Sequence, residues 1–289
     1  MGAKGEESMG ESHKTIPNLV EELSYSTIRL ICTQTNGTVS VGTGFVMEFK
    51  RNQENNTFIP VLVTNKHVVR GSASVSFVLT EMVDGKPSAG RFPFSLPIPE
   101  IAWRMHPDDK VDLCAFAIGP ILNALKDQGK YAKISWLPME IIPSGEEIGN
   151  MFQLDEVVMI GYPNGILDEV NNQPIFRRGT LATKPSLDYN GRKEFLVDMA
   201  VYGGSSGSPV FVYREGVWYD RQHGGAVLMN HPTARLLGIM QGVFTSRVDG
   251  RIVVKEIPTA LGAFSESSVP NNLGVAIKAE RIKELETLF

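Results

Sequence analysis

Cysteine is nearly missing from this 289-residue chain, which holds only Cys32 and Cys114. Each lies inside an apolar run (IRLICT and VDLCAFAI), where a thiol packs as a small hydrophobe. That argues against a disulfide-stapled secreted scaffold. No uninterrupted apolar run of about 18 residues occurs, so no membrane-spanning helix is expected. The first twenty residues hold no apolar stretch of the kind a secretory signal needs. An excess of positive charge is absent too: 28 Lys and Arg against 32 Asp and Glu give a net charge of −4 and a pI near 5.8. This excludes a broad basic footprint for nucleic acid and any attraction to an anionic membrane surface. The expected address is cytoplasmic, and the sequons at Asn36 and Asn55 are then chance matches.

Glycine, by contrast, is plentiful at 28 residues, as suits a turn-rich, strand-rich fold. Short β-forming runs follow one another from VGTGFVMEF to LGVAIK, with Gly, Pro, Asn and Asp between them. The spacing predicts an all-β barrel or sandwich. Residues 1–16 read as a disordered tail and residues 17–125 as a first β-unit. A linker is expected over 126–150, a second β-unit over 151–277, and a closing helix over 278–289, where Ile, Leu and Phe recur at helical spacing. The long inserts at 166–177 and 214–236 read equally as substrate or partner loops and as solvated decoration.

Chemistry concentrates in three places. Gly203-Gly204-Ser205-Ser206-Gly207-Ser208-Pro209 is a turn of small residues between two apolar runs. Glycines there let backbone N–H groups converge on one point beside a hydroxyl. His67 follows the apolar run ending LVTN, and Asp112 opens VDLCAFAI. Singly, each also fits a turn or cap. Together they supply a nucleophile, a base and a group to hold the base. Their order is His, Asp, Ser, at separations of 45 and 94 residues (112 − 67 and 206 − 112). That order is the one used by chymotrypsin-type enzymes rather than subtilisins or α/β-hydrolases. His106, His223 and His231 show no tight metal-ligand spacing. Neither a metal nor another cofactor is expected.

These motifs resemble trypsin-like serine peptidases, and most of all the protease core of the Deg/HtrA group. The matching segments are Gly42-Thr43-Gly44-Phe45, Thr64-Asn65-Lys66-His67-Val68-Val69, Asp112-Leu113-Cys114, Ile160-Gly161-Tyr162-Pro163-Asn164-Gly165, Gly179-Thr180-Leu181-Ala182, and Asp198 to Pro209. The resemblance implies two six-stranded antiparallel β-barrels (the chymotrypsin fold) with a short C-terminal helix, and an active site in the cleft between the barrels. It implies a triad of His67, Asp112 and Ser206, and an oxyanion hole from the Gly204 and Ser206 amides. Substrate would add as a strand along Leu237 to Val243. Its pocket would be walled by Ala200-Val201-Tyr202, by Met240-Gln241-Gly242-Val243 and by Gly274-Val275-Ala276. No wall carries a charge, so small-to-medium apolar side chains are the expected preference, unless Asp198 reaches the pocket and selects Arg or Lys. Departures are the missing PDZ domain and signal peptide, and Ser205 where digestive relatives carry an aspartate that pairs with a newly cut N-terminus. Activity is therefore expected to be set by loop order or by a regulatory protein partner, with a polypeptide substrate narrow in range. The rivals are a non-catalytic binding or sensor module on the same fold, and an esterase-like hydrolase.

Overall fold

A computed structural model describes residues 18–97, 100–220, 224–251 and 264–289; the expected tail at 1–16 lies outside them. The first element, α1 (Leu19–Ser24), starts where the Asn18 side chain accepts from the Val20 amide, as N-capping requires. The first sheet holds β1 (Thr27–Gln34), β2 (Val39–Asn52), β3 (Thr57–Thr64), β4 (Ser72–Val83), β5 (Lys86–Leu96), β6 (Arg104–Met105), β7 (Cys114–Ala117) and β8 (Ala132–Lys133). Its order is β5-β4-β1-β2-β3-β7-β6, with β8 pairing β4 off that path. All its pairings are antiparallel.

Here the structure corrects the sequence-based picture. This sheet has eight strands, not six, and among the described residues its ladder does not close. The reason is local. Pro87 and Pro93 leave β5 short of donors, which suits an edge, and β6 is two residues long and bonded to β7 alone.

The second sheet does close, in the order β10-β11-β16-β15-β12-β9. Its strands are β9 (Glu156–Gly161), β10 (Ile175–Leu181), β11 (Glu194–Asp198), β12 (Pro209–Arg214), β15 (Thr233–Arg251) and β16 (Phe264–Lys278). Between β12 and β15 the 214–236 insert forms a separate hairpin of β13 (Val217–Asp220) and β14 (Gly225–Leu228). Short helices α2 (Lys66–Val69), α3 (Gly119–Lys126) and α4 (Gly145–Gly149) connect strands, and α5 (Ile282–Glu286) ends the chain as expected. No helix among the described residues is long and apolar enough to cross a membrane.

Strand alternation decides how the sheets pack. Side chains two apart share a face, so Phe45, Met47 and Phe49 of β2 enter one core while Val46 enters another. Val61 and Val63 of β3 separate from Leu62 in the same way. The odd-numbered set meets Ile160, Phe211, Leu236, Ile239 and Ile277 of the closed barrel and Ile282 and Leu285 of α5. One continuous core thus joins the two sheets and the C-terminal helix. The barrel interior is filled separately, by Met159, Phe195, Val197, Val210 and Met240 among others. Both cysteines are buried, in the core of the first sheet. Burial pushes the Cys32 thiol up to about 11, which leaves it an unreactive hydrophobe.

Candidate active site

The end of β3 and the short α2 behind it set the base. Asn65, Lys66 and His67 are consecutive, and all three reach the loop over residues 106–112. Asn65 Nδ2 donates to the Asp112 carbonyl at 2.7 Å. The buried Lys66 ammonium donates to the carbonyls of His106 and Asp108 at 3.0 and 3.2 Å. The His67 backbone amide donates to Asp112 Oδ1 at 3.0 Å, and His67 Nδ1 lies 2.5 Å from Asp112 Oδ2. The carboxylate is therefore gripped at both oxygens by one residue, with its side chain 18% exposed. With Nδ1 committed to the carboxylate, Nε2 is the ring nitrogen left to accept a proton. The imidazole itself is 44% exposed, so it is open to an incoming molecule.

The same loop is tied from behind to the C-terminal helix. Arg281 Nη2 donates to Asp108 Oδ2 at 3.1 Å, and Glu284 Oε2 sits 3.4 Å from Nε2 of the buried His106. The His106 Nδ1 accepts from the Asp108 amide at 3.0 Å. Desolvation holds the His106 pKa below its ordinary value, with Glu284 only partly opposing.

The nucleophile turn joins the barrel to β2. Gly204 and Gly207 have φ of 84° and 85°, the left-handed region that favours glycine. Thr43, fully buried in β2, fastens this turn. Its amide donates to the Ser206 carbonyl at 2.8 Å, and its hydroxyl donates to the Gly204 carbonyl at 2.9 Å. Its carbonyl accepts from Thr64 Oγ1 at 2.7 Å. A Cβ on Gly207 would fall 2.0 Å from the Thr43 carbonyl oxygen and 2.5 Å from Thr64 Oγ1. Gly207 is thus pressed against Thr43 of β2 and against Thr64, the last residue of β3, which runs on into α2 and His67. On the other side, the Tyr162–Gly165 turn braces the glycines: the Asn164 amide donates to the Gly203 carbonyl at 2.5 Å, and a Cβ on Gly204 would meet the Tyr162 carbonyl oxygen. Ser205 is buried and locally satisfied, its amide donating to the Tyr202 carbonyl. Among the described residues the Gly204 and Ser206 amides donate to no protein group.

The walls expected for the pocket lie beside this turn. Val201, Met240 and Ala276 are buried, and a Cβ on Gly274 would touch Val201, Met240 and Val197. Ala200 and Gln241 are half-buried, and Tyr202 is exposed with the Arg177 guanidinium over its ring. Asp198 is exposed at the end of β11, opposite Thr180 and Leu273. Along β15, Gly238 to Met240 are bonded on both sides, with the Met240 amide donating to the Ser208 carbonyl and its carbonyl accepting from Gly207. From Gln241 on, among the described residues, only the β16 side is paired. The open edge is therefore shorter than Leu237 to Val243 and starts level with the turn. A groove of about 300 Å³ lies over Gln241 to Phe244 and the neighbouring β16 and β11, lined by His67, Asp112, Gln241, Gly242, Val243, Phe244 and Val275, together with Arg192 and Glu194. Sequence reasoning missed those last two, and it matched Thr43 within a motif without reading its role. Nothing in a β-run announces that a hydroxyl or a carboxylate will meet a turn dozens of residues away.

Residues 42–218 match the family described as Trypsin-like peptidase domain. No curated protein matches the chain. A solved structure described as the HtrA-type protease AlgWS227A with tripeptide aligns at 15% identity and a TM-score of 0.50, covering 93% of this chain and 62% of that one. The active form of the Rv3671c protease from M. tuberculosis aligns at 16% identity and a TM-score of 0.46, covering 94% of this chain and 83% of that one. The chain thus spans about three fifths of the AlgW chain.

Proposed function

Because the chain belongs to the trypsin-like peptidase family, and so is a serine peptidase, we propose that it is an endopeptidase working through Ser206, His67 and Asp112. Ser206 Oγ attacks the scissile carbonyl while His67 Nε2 takes its proton. Asp112 fixes the ring and stabilises the imidazolium without itself being protonated. The acyl-enzyme on Ser206 is then hydrolysed by water activated by the same histidine. The unengaged amides of Gly204 and Ser206 receive the oxyanion, and losing one such donor typically raises the barrier by about 2.7–4 kcal/mol.

The observation that carries this reading is the Asp112–His67 pair, held at both carboxylate oxygens and facing an open groove. A binding or sensor module has no use for a histidine so oriented. The substrate is a polypeptide that lies against the free edge from Gln241, as strand addition requires. The residue before the cut enters a pocket bounded by Ala200, Val201 and Gly274, and the chemistry of that pocket favours small or medium apolar side chains.

The reading takes 17–125 and 151–277 as two β-units flanking the cleft, joined over 126–150. It keeps the cytoplasm as the place of action and a partner protein as the regulator of a narrow target range. Peptide-substrate kinetics test the core of it. Ser206→Ala and His67→Ala should each lower kcat by about 10⁴-fold or more, and the double variant should lose little further, because the pair acts as a unit. Retained turnover in Ser206→Ala would remove the reading.

A further inference from the structure

The groove beside His67 carries a charge that the chemistry of peptide cleavage does not use. Glu194 begins β11, and its side chain is only 7% exposed. Its Oε2 is buried and, among the described residues, has no hydrogen-bond partner. Gln241 Oε1, on the same groove wall, is likewise buried without a partner. Two buried acceptors without donors are costly to leave empty. Arg192 is the groove's one cation among the described lining residues. Its Nη2 stands 3.1 Å from Glu194 Oε2 at ion-pair distance, but without hydrogen-bond alignment, and its side chain is 60% exposed. It is therefore a weakly held occupant that solvent already competes for. Asp112 adds a second carboxylate to the lining. Burial raises the Glu194 pKa, with Arg192 only partly offsetting it, so an arriving cation would relieve a charge that the protein solvates poorly.

We propose that Glu194 and Gln241 form a recognition site for a Lys or Arg side chain of the substrate, upstream of the cleaved bond. This rests on the peptidase reading above, since it takes the substrate to lie along the Gln241 edge. Residues before the cut would run from the turn along Gln241 to Phe244, which line the same groove as Glu194, so a long side chain reaches Glu194 by crossing the face of β15 and β16. The incoming ammonium or guanidinium displaces Arg192, donates to both orphaned oxygens, and leaves Arg192 to solvent. This site is distinct from the uncharged pocket for the residue next to the cut. It also assigns the acidic determinant to Glu194 rather than to Asp198, which lies exposed at the other end of β11.

Peptidyl phosphonates with alanine next to the warhead, and lysine or norleucine at each of the next three positions, test this through the rate at which they label the full chain. At one of those positions lysine should label about tenfold faster than norleucine or better, as a charge-assisted hydrogen bond in a partly buried site supports. Glu194→Gln should bring that ratio toward one, and Arg192→Ala should raise it by removing the competitor. If Glu194→Gln fails to fold, Arg192→Ala decides: an unchanged or lower ratio overturns the proposal. Equal labelling by lysine and norleucine probes overturns it while leaving the triad standing. Labelling by a simple fluorophosphonate but by no peptidyl probe does the same. Failure of every probe, the simple one included, overturns the triad and this site together.

Discussion

Thr43 makes four hydrogen bonds that converge on the nucleophile turn: to Ser206, to Gly204, from Tyr162 and from Thr64. Only the two through its hydroxyl depend on the side chain. Thr43→Val keeps the shape and removes them, so the Gly204 carbonyl and the Tyr162 amide lose a buried partner, at about 1–3 kcal/mol each. We expect kcat for peptide cleavage to fall on the order of 10²-fold, because displacing an oxyanion donor by a fraction of an ångström is enough to misplace it. Thermal melting will show whether the protein stays folded while it slows. An unchanged kcat would mean the hydroxyl does not position the turn. Gly207→Ala is harsher: φ is 85° and the new methyl would sit against the Thr43 carbonyl, so this variant should show no detectable turnover. At this scale the sequence was informative where chemistry needs rare residue types close together. His67 and Asp112 were singled out and meet in the structure, while the part given to Ser206 and its glycines belongs to the proposal. Thr43 fell within a matched motif, but its role was hidden, because its partners are remote in sequence.

Asn65-Lys66-His67 and the loop over 106–112 form the next level, held from behind by Arg281 and Glu284. Lys66→Met keeps the bulk but leaves the carbonyls of His106 and Asp108 without their donor. It should lower kcat for peptides with KM nearly unchanged, since the proposed substrate edge on β15 is untouched, and steady-state kinetics will separate the two constants. His106 adds a pH dependence. Its folded pKa is depressed, so its contribution to stability is complete above the unfolded value near 6.5 and shrinks as pH falls below that value. The groups facing it are Lys66, the Asp108 amide, Arg281 and Glu284. The melting temperature should therefore drop between pH 7.5 and 5.5, and drop less in His106→Asn; equal slopes would contradict this. The strands and the closing helix were legible from alternation and turn residues. The grip of three consecutive residues on a distant loop was not, because a lysine just after a strand reads as solvated surface, yet Lys66 is buried.

The molecule as a whole is bound by the core that the two sheets share with α5. It is filled by Phe45, Met47, Phe49, Ile160, Phe211, Leu236, Ile239, Ile282 and Leu285, large side chains whose full burial is worth roughly 1.5–3 kcal/mol each. The halves should consequently unfold together, as one calorimetric transition, and two resolved transitions would show that the shared core does not couple them. Closure of one sheet was legible in its regular runs. The open ladder of the other was hidden, because hydrogen bonding between sequence-distant edges leaves no periodic trace. Across the scales, the proposed function rests on His67, steadied by Asp112, activating Ser206. The most direct measurement is intact-mass and peptide mapping after exposure to a simple fluorophosphonate. The wild-type chain should carry one adduct, on Ser206, and His67→Ala should carry none in the same time. An adduct elsewhere, no adduct on the wild type, or equal labelling without the imidazole would contradict that claim.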